Sequence, residues 1–181
     1  MKGMIFTEFL ELVEEKFGLE VYEEMLDNAG DSGIYTAVGS YDHTALVKLI
    51  IELSKLTGIA IEDLQEAFGT VAFKALLNSL PQQENLGDNT FEFLQTVESF
   101  IHKEVIKLYP DATPPRFEFN DITPTSMIMH YYSSRCMGHV CLGLIKGCAQ
   151  HFNEKIAVEM HAVNGQQDHV QFSLALVSSN G

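Results

Sequence analysis

Three groups of residues carry side chains whose type and spacing could do chemistry. His102 stands among Ile101, Val105 and Ile106, with Ser99 three residues before it. A lone histidine in such a run is most often an ordinary packed residue. The same ring, neutral and beside an apolar cleft, is also what an axial ligand to haem iron requires. The second group is Tyr131-Tyr132-Ser133-Ser134-Arg135. If this stretch is extended, Tyr131, Ser133 and Arg135 point to one side by the two-residue period of a strand. Two hydroxyls and a guanidinium would then converge, a set suited to a pair of carboxylates, although a strand end with surface polar groups reads the same way. The third is Ala112-Thr113-Pro114-Pro115-Arg116, where two prolines make a stiff extended segment. That segment is either a rigid connector or a wall against a bound ring.

The elements that must position these groups are set by periodicity. Ile5, Phe9, Leu12, Val13 and Phe17 recur at helical spacing up to Gly18, and a short second helix fits Val21 to Asp27. Asp42 is placed to cap a third helix through Leu46, Leu49, Ile50, Leu53 and Leu56, stopped by Gly58. Asp63 to Leu80 continues helical, with a break expected at Gly69 and an end at Pro81. The polar stretch from Gln82 to Asn89 is the expected boundary between sub-lobes. Asn89 or Thr90 caps a long helix through Phe91, Leu94, Val97, Ile101, Val105, Ile106 and Leu108, ended by Pro110. Beyond it the period changes to two. Strands are expected at Phe117 to Phe119, Ser126 to Tyr132, Ile156 to Val163 and Val170 to Val177, the last two joined across Asn164-Gly165. A helix from Arg135 to Phe152 lies between the two strand pairs. The fold class is therefore α/β (α+β). One domain spans residues 1–181, with a helical sub-lobe over 1–85 and a mixed one over 86–181 carrying four antiparallel strands.

Composition sets the limits. The chain has 181 residues with 46% hydrophobic and 20% charged, 12 Phe and no Trp, which is a globular balance. A formal charge of −14 opposes nucleic acid and anionic membrane surfaces and favours a basic protein partner. No leader-like segment and no apolar run of membrane-spanning length is seen, so a cytoplasmic location is expected. Cys136, Cys141 and Cys148 are spaced by five and seven, without a CxxC pair. Reduced thiols serving as small core residues are expected. There is no Gly-rich phosphate loop, no G-x-S-x-G and no HExxH. His43 and His130 read as ordinary residues, and His151 and His161 lack metal-ligand spacing. No zinc is expected at His161 and His169.

His102, the Pro114-Pro115-Arg116 turn, Tyr131-x-Ser133-x-Arg135 and Leu142-Gly143-Leu144-Ile145-Lys146-Gly147 together resemble the H-NOX family, the haem nitric oxide and oxygen binding domains, over essentially the whole chain from Met1-Lys2-Gly3. The resemblance implies a haem b held between the two lobes without covalent attachment, consistent with the lack of CxxCH. It implies that His102 is the axial iron ligand and that Tyr131, Ser133 and Arg135 bind the propionates. It implies that Pro115 presses on the porphyrin and keeps it distorted. Ile5, Phe9, Leu76, Val140 and Leu144 would form the distal wall.

Oxygen on ferrous haem is stabilised by a distal hydrogen-bond donor, and oxygen-binding members of the family place a tyrosine there. The matching position here is Val140, between His139 and Cys141. The expectation is a sensor of nitric oxide that also binds carbon monoxide and excludes oxygen; the alternative is that His139 turns inward and supplies a donor. Binding would release His102 and so signal to a separate effector protein, a histidine kinase or a cyclic-di-GMP synthase or phosphodiesterase in the stand-alone bacterial members. No enzymatic role is expected. The competing readings are an oxygen-binding haem protein and a non-haem ligand-binding or adaptor scaffold.

Overall fold

The computed structural model describes residues 1–80 and 86–177. Its elements run α1 (Gly3–Ala29), α2 (His43–Thr57), α3 (Ile61–Asn78), α4 (Thr90–Thr96), a π turn (Val97–Ile101), α5 (His102–Leu108), β1 (Arg116–Asn120), β2 (Ser126–Tyr132), α6 (Gly138–His151), β3 (Ile156–Val163) and β4 (Gln166–Leu176). Among the described residues no helix is long and apolar enough to cross a membrane. Packing divides the chain into two compact units, Met1–Phe68 and Gly69 onward. The division thus falls earlier than the polar stretch at 82–89, of which residues 82–85, like Pro81 before them, lie outside the described part.

The first unit is helical. α1 bends at Gly18, whose φ of 84° and ψ of 170° are non-helical. The two helices read from sequence are thus both present, parted at Gly18 in a conformation that only glycine adopts cheaply. α1 ends in a left-handed Gly30. The Asp42 side chain accepts from Thr44 N–H and caps α2, whose Leu46, Leu49, Ile50 and Leu53 are buried. Phe9 is buried and meets Phe68 edge to face at 5.4 Å; Ile5 is half-buried.

The second unit is a four-stranded antiparallel sheet, in the order β1-β2-β4-β3, with helices packed on one face. β2 alternates strictly, burying Met127, Met129 and Tyr131. Val170, Phe172 and Leu174 of β4 continue that buried face. Cys141, Leu142, Ile145 and Cys148 of α6 and Phe91, Phe93 and Leu94 of α4 complete the core. β4 begins at Gln166, earlier than Val170, because Asn164 and Gly165 at φ 54° and 73° form a tight reversal and carry the pairing into polar residues. α6 begins at Gly138 and not Arg135, since Cys136 has φ 53° and breaks the run. Cys136 is exposed rather than a core residue, while Cys141 and Cys148 are buried, and burial pushes both of their thiols up.

Gly69 does not break α3. It lets α3 and α6 touch: a Cβ on Gly69 would stand 2.2 Å from Val140 O and 2.9 Å from Leu144 N. One on Gly147 would stand 2.6 Å from Thr70 O. Both obstructions are backbone, which side-chain rotation cannot relieve. Gly69→Ala is therefore expected to lower stability by about 1–3 kcal/mol, measured by urea unfolding of the haem-free chain. An unchanged midpoint and slope would mean that the two helices do not cross so closely.

Candidate functional site

The expected long helix through His102 is not uniform. Asn89 caps it by accepting from Glu92 N–H. Five residues before His102 it widens into the π turn, closed by His102 N–H donating to Val97 O. A π turn holds one residue more than an α turn and rotates the residues after it relative to those before it. The apolar phase therefore shifts, and Ile106 and Leu108, expected inside, are 44% and 58% exposed. Val105 stays against the core.

His102 is held on two sides. Its Nδ1 lies 3.2 Å from Glu98 Oε2, and its ring lies 5.2 Å from that of Phe117, tilted by 33°. Glu98 Oε2 also accepts from Phe117 N–H at 3.0 Å. β1 is an edge strand, so this N–H has no strand partner on its outer side, and the carboxylate supplies one. Burial lowers the His102 pKa, with Glu98 opposing the shift, so the folded protein holds a neutral ring. A carboxylate can only accept, so the Nδ1–H form is the one fixed. Nε2 is then left with a free lone pair. This is the arrangement by which proteins orient a histidine toward a metal.

The sheet register carries the site onward. Phe117 pairs with Tyr131 across β1 and β2, their rings 6.0 Å apart. Tyr131 is 4% exposed. Burial pushes its phenol up to about 12, while the Ser133 hydroxyl, Met137 N–H and Arg135 charge draw it partly back. All three residues of the Tyr131-x-Ser133-x-Arg135 pattern therefore lie together. The two-residue period is not the reason, because β2 ends at Tyr132. Instead Ser133 N–H donates to Asp168 O at 2.9 Å, and Arg135 N–H donates to Ser133 Oγ at 3.3 Å. The Arg135 guanidinium donates to Thr113 Oγ1 at 2.9 Å, joining the pattern to the segment that contains the half-buried Pro115.

The remaining expected residues fall in both units. Ile5 and Phe9 belong to the first. Leu76, Val140 and Leu144, all half-buried, belong to the second. Val140 and Leu144 flank the Gly69 contact on α6. Leu76 is seven residues beyond Gly69, two helical turns, and so shares its face of α3. His139 is half-buried beside Val140.

Glu98, Phe117 and Thr113 are absent from the sequence-based site. Glu98 had a signal in the four-residue spacing to His102. Phe117 had none, and Thr113 stood in the proline segment only as a neighbour, because their contacts depend on strand register and on where a loop returns. The donor set suits haem: a neutral imidazole with one free nitrogen, an aromatic wall, and an arginine with two hydroxyls for anionic groups.

The haem-NO-binding family matches residues 2–160. No curated protein sequence matches the chain. Among solved structures, the unliganded Fe(II) H-NOX protein of K. algicida is 34% identical, covering 100% of this chain and 99% of its own, with a TM-score of 0.92. The H-NOX of Shewanella woodyi, solved bound to IWP-051 in the Fe(II)CO state, is 33% identical over 100% and 97%, with a TM-score of 0.84. The S. oneidensis H-NOX in the Fe(II)NO state is 25% identical over 98% and 100%, with a TM-score of 0.88. The match over most of the chain, together with relatives a third identical along its whole length, places this protein in the H-NOX family of haem-based gas sensors.

Proposed function

We propose that the chain binds haem b through His102 and senses nitric oxide at the ferrous iron while excluding oxygen. The observation that carries this reading is the Glu98–His102 pair, which fixes the neutral ring with Nε2 free. Ferrous haem held by His102 would supply a site for a diatomic gas. Tyr131, Ser133 and Arg135 hold the propionates, with Arg135 braced by Thr113. Pro115, on the same stiff segment, presses on the porphyrin. Ile5, Phe9, Leu76, Val140 and Leu144 line the gas side without a hydrogen-bond donor, so oxygen gains no added stabilisation and nitric oxide needs none. Carbon monoxide binds as well.

The output is set by the histidine. His102 is the first residue after the π turn, so loss of its hold on a bound haem would unpin α5 at its start. Glu98 retains the ring through Nδ1 and keeps the helix tied to β1. The change is then read by a separate effector in the cytoplasm, a histidine kinase or a cyclic-di-GMP synthase or phosphodiesterase. The charge of −14 favours docking to a basic surface.

Absorption spectra of the reduced protein under argon, air and nitric oxide test the whole reading. A five-coordinate ferrous spectrum is expected under argon, little changed by air, and five-coordinate again after nitric oxide. A lasting oxygen complex would show that the gas side holds a donor, and a colourless protein after expression with a haem precursor would leave a non-haem scaffold. Val140→Tyr is expected to gain an air-stable complex that the native protein lacks. If it does not, residue 140 is not the oxygen determinant. His102→Gly with free imidazole should recover the haem spectrum while losing the response of the effector to nitric oxide; a retained response would refute signalling through the tether.

Glu98→Gln replaces a charged acceptor with a neutral one, which donates less electron density through the ring. The iron–histidine stretching frequency should fall in resonance Raman spectra, and conversion to the five-coordinate form by nitric oxide should be faster. An unmoved frequency would show that Glu98 does not act on the iron through His102.

A further inference from the structure

The face of the sheet opposite the core carries a second histidine cluster. His130 on β2 and His169 on β4 lie diagonally across the strand pair, since His130 faces Gln171 and Tyr132 faces His169. Diagonal neighbours on one face are within reach of long or aromatic side chains. Here His130 Nδ1 stands 3.0 Å from His169 Nε2. The two rings have centroids 5.2 Å apart and planes at 46°. Tyr132 stacks on His169 at 4.2 Å and 23°. Tyr132 is itself fixed from its other contacts: its hydroxyl donates to Glu118 at 3.0 Å, and the Arg116 guanidinium sits 4.2 Å from its ring. His169 is therefore clamped before any ligand arrives.

We propose that His130 and His169 form a cross-strand site for a divalent transition metal, with copper(II) held more tightly than zinc(II) or nickel(II). Two imidazole nitrogens on one ion, each about 2.0–2.1 Å from it, are about 3 Å apart when they subtend roughly 90° at the metal. The observed separation of 3.0 Å, a hydrogen bond in the metal-free pair, is also close to the spacing of two adjacent corners of a tetragonal site, an arrangement that copper(II) and nickel(II) adopt. In the metal-free pair one ring donates an N–H to the other. Binding requires that the donor ring carry its proton on its other nitrogen and that the rings, His130 more than the stacked His169, turn until both lone pairs meet beside the nitrogen–nitrogen line. The protein charge of −14 draws cations to the surface. Among the described residues no third histidine, cysteine or carboxylate completes a cluster, so water or an exogenous ligand fills the remaining positions and the site exchanges its metal. Imidazole ligation obeys the order that places copper(II) above its neighbours.

The site is separate from His102, which lies on a helix and contacts β1 through Phe117, so its test does not depend on the gas chemistry. Copper(II) is titrated into the haem-loaded protein, with its affinity read against glycine as competitor, and the paramagnetic resonance spectrum of the first equivalent, taken in a separate sample without glycine, is read for the number of coupled nitrogens. Two imidazole nitrogens are expected in the native protein. His130→Gln or His169→Gln should leave one. Loss of an outer partner alone costs a metal site roughly 10–100-fold, so loss of a ligand should weaken the first equivalent by at least roughly tenfold. His161→Gln should leave it unchanged, and an intact Soret band in every variant verifies the fold. If the first equivalent keeps two nitrogens in either single variant, or tracks His161 instead, the site is refuted.

Discussion

The structure of the site hangs on one carboxylate. Glu98 accepts from the His102 ring and from the Phe117 backbone with a single oxygen, Oε2. One side of that arrangement fixes a ring nitrogen, and the other satisfies an edge-strand N–H that would otherwise face a helix without a partner. A helix and a sheet are therefore located against each other by the group that orients the His102 ring. The π turn makes this possible. It places Glu98 inside the widened segment and His102 at its exit, and its extra residue rotates the histidine relative to the apolar stripe of α4. A regular helix through the same residues would keep the stripe in phase and would bury Ile106 or Leu108, which the protein leaves exposed.

From Phe117 the register does the rest. Phe117 opposite Tyr131 turns a contact on one strand into a contact on the next, so the rings of His102, Phe117 and Tyr131 succeed one another at 5.2 and 6.0 Å. The polar end is assembled differently. Ser133 is held by the backbone of Asp168, and Arg135 reaches to Thr113. Ser133 and Arg135 thus depend on a strand that begins in the polar residues Gln166 to His169 and on the loop that precedes β1. Neither belongs to the hydrophobic pattern.

The features legible in the sequence and those hidden from it divide along that line. The kink at Gly18, the Asp42 and Asn89 caps, β2 and the Asn164-Gly165 reversal rest on local chemistry, and each stands where the residues place it. The fold and the H-NOX family are reached from those elements and from motifs of fixed spacing. Gly69 misleads because a glycine within a helix reads as a break, whereas its reason lies in another helix 74 positions further on, at Gly143. Sequence starts α6 too early because helical composition runs through Cys136, while the backbone there turns left-handed. Glu98 escapes notice although its spacing to His102 is local, since four-residue pairs of acid and histidine are common on exposed helices and only the Phe117 contact gives this one a function.

The same distinction bears on β2. Its period of two sends Tyr131 to the core and His130 and Tyr132 to the opposite face. A strand whose inner residues are fixed by packing cannot slip by one position without exposing Met127, Met129 and Tyr131 together. The inner face therefore sets the diagonal that brings His130 to His169, and the outer pair inherits its 3.0 Å separation from a core that makes no use of it. Histidine spacing along the chain, 39 residues from one to the other, carries no trace of this. Only the register through β4 does, which is why a ligand pair on a sheet is visible in three dimensions and silent in sequence, while one on a helix announces itself every fourth residue.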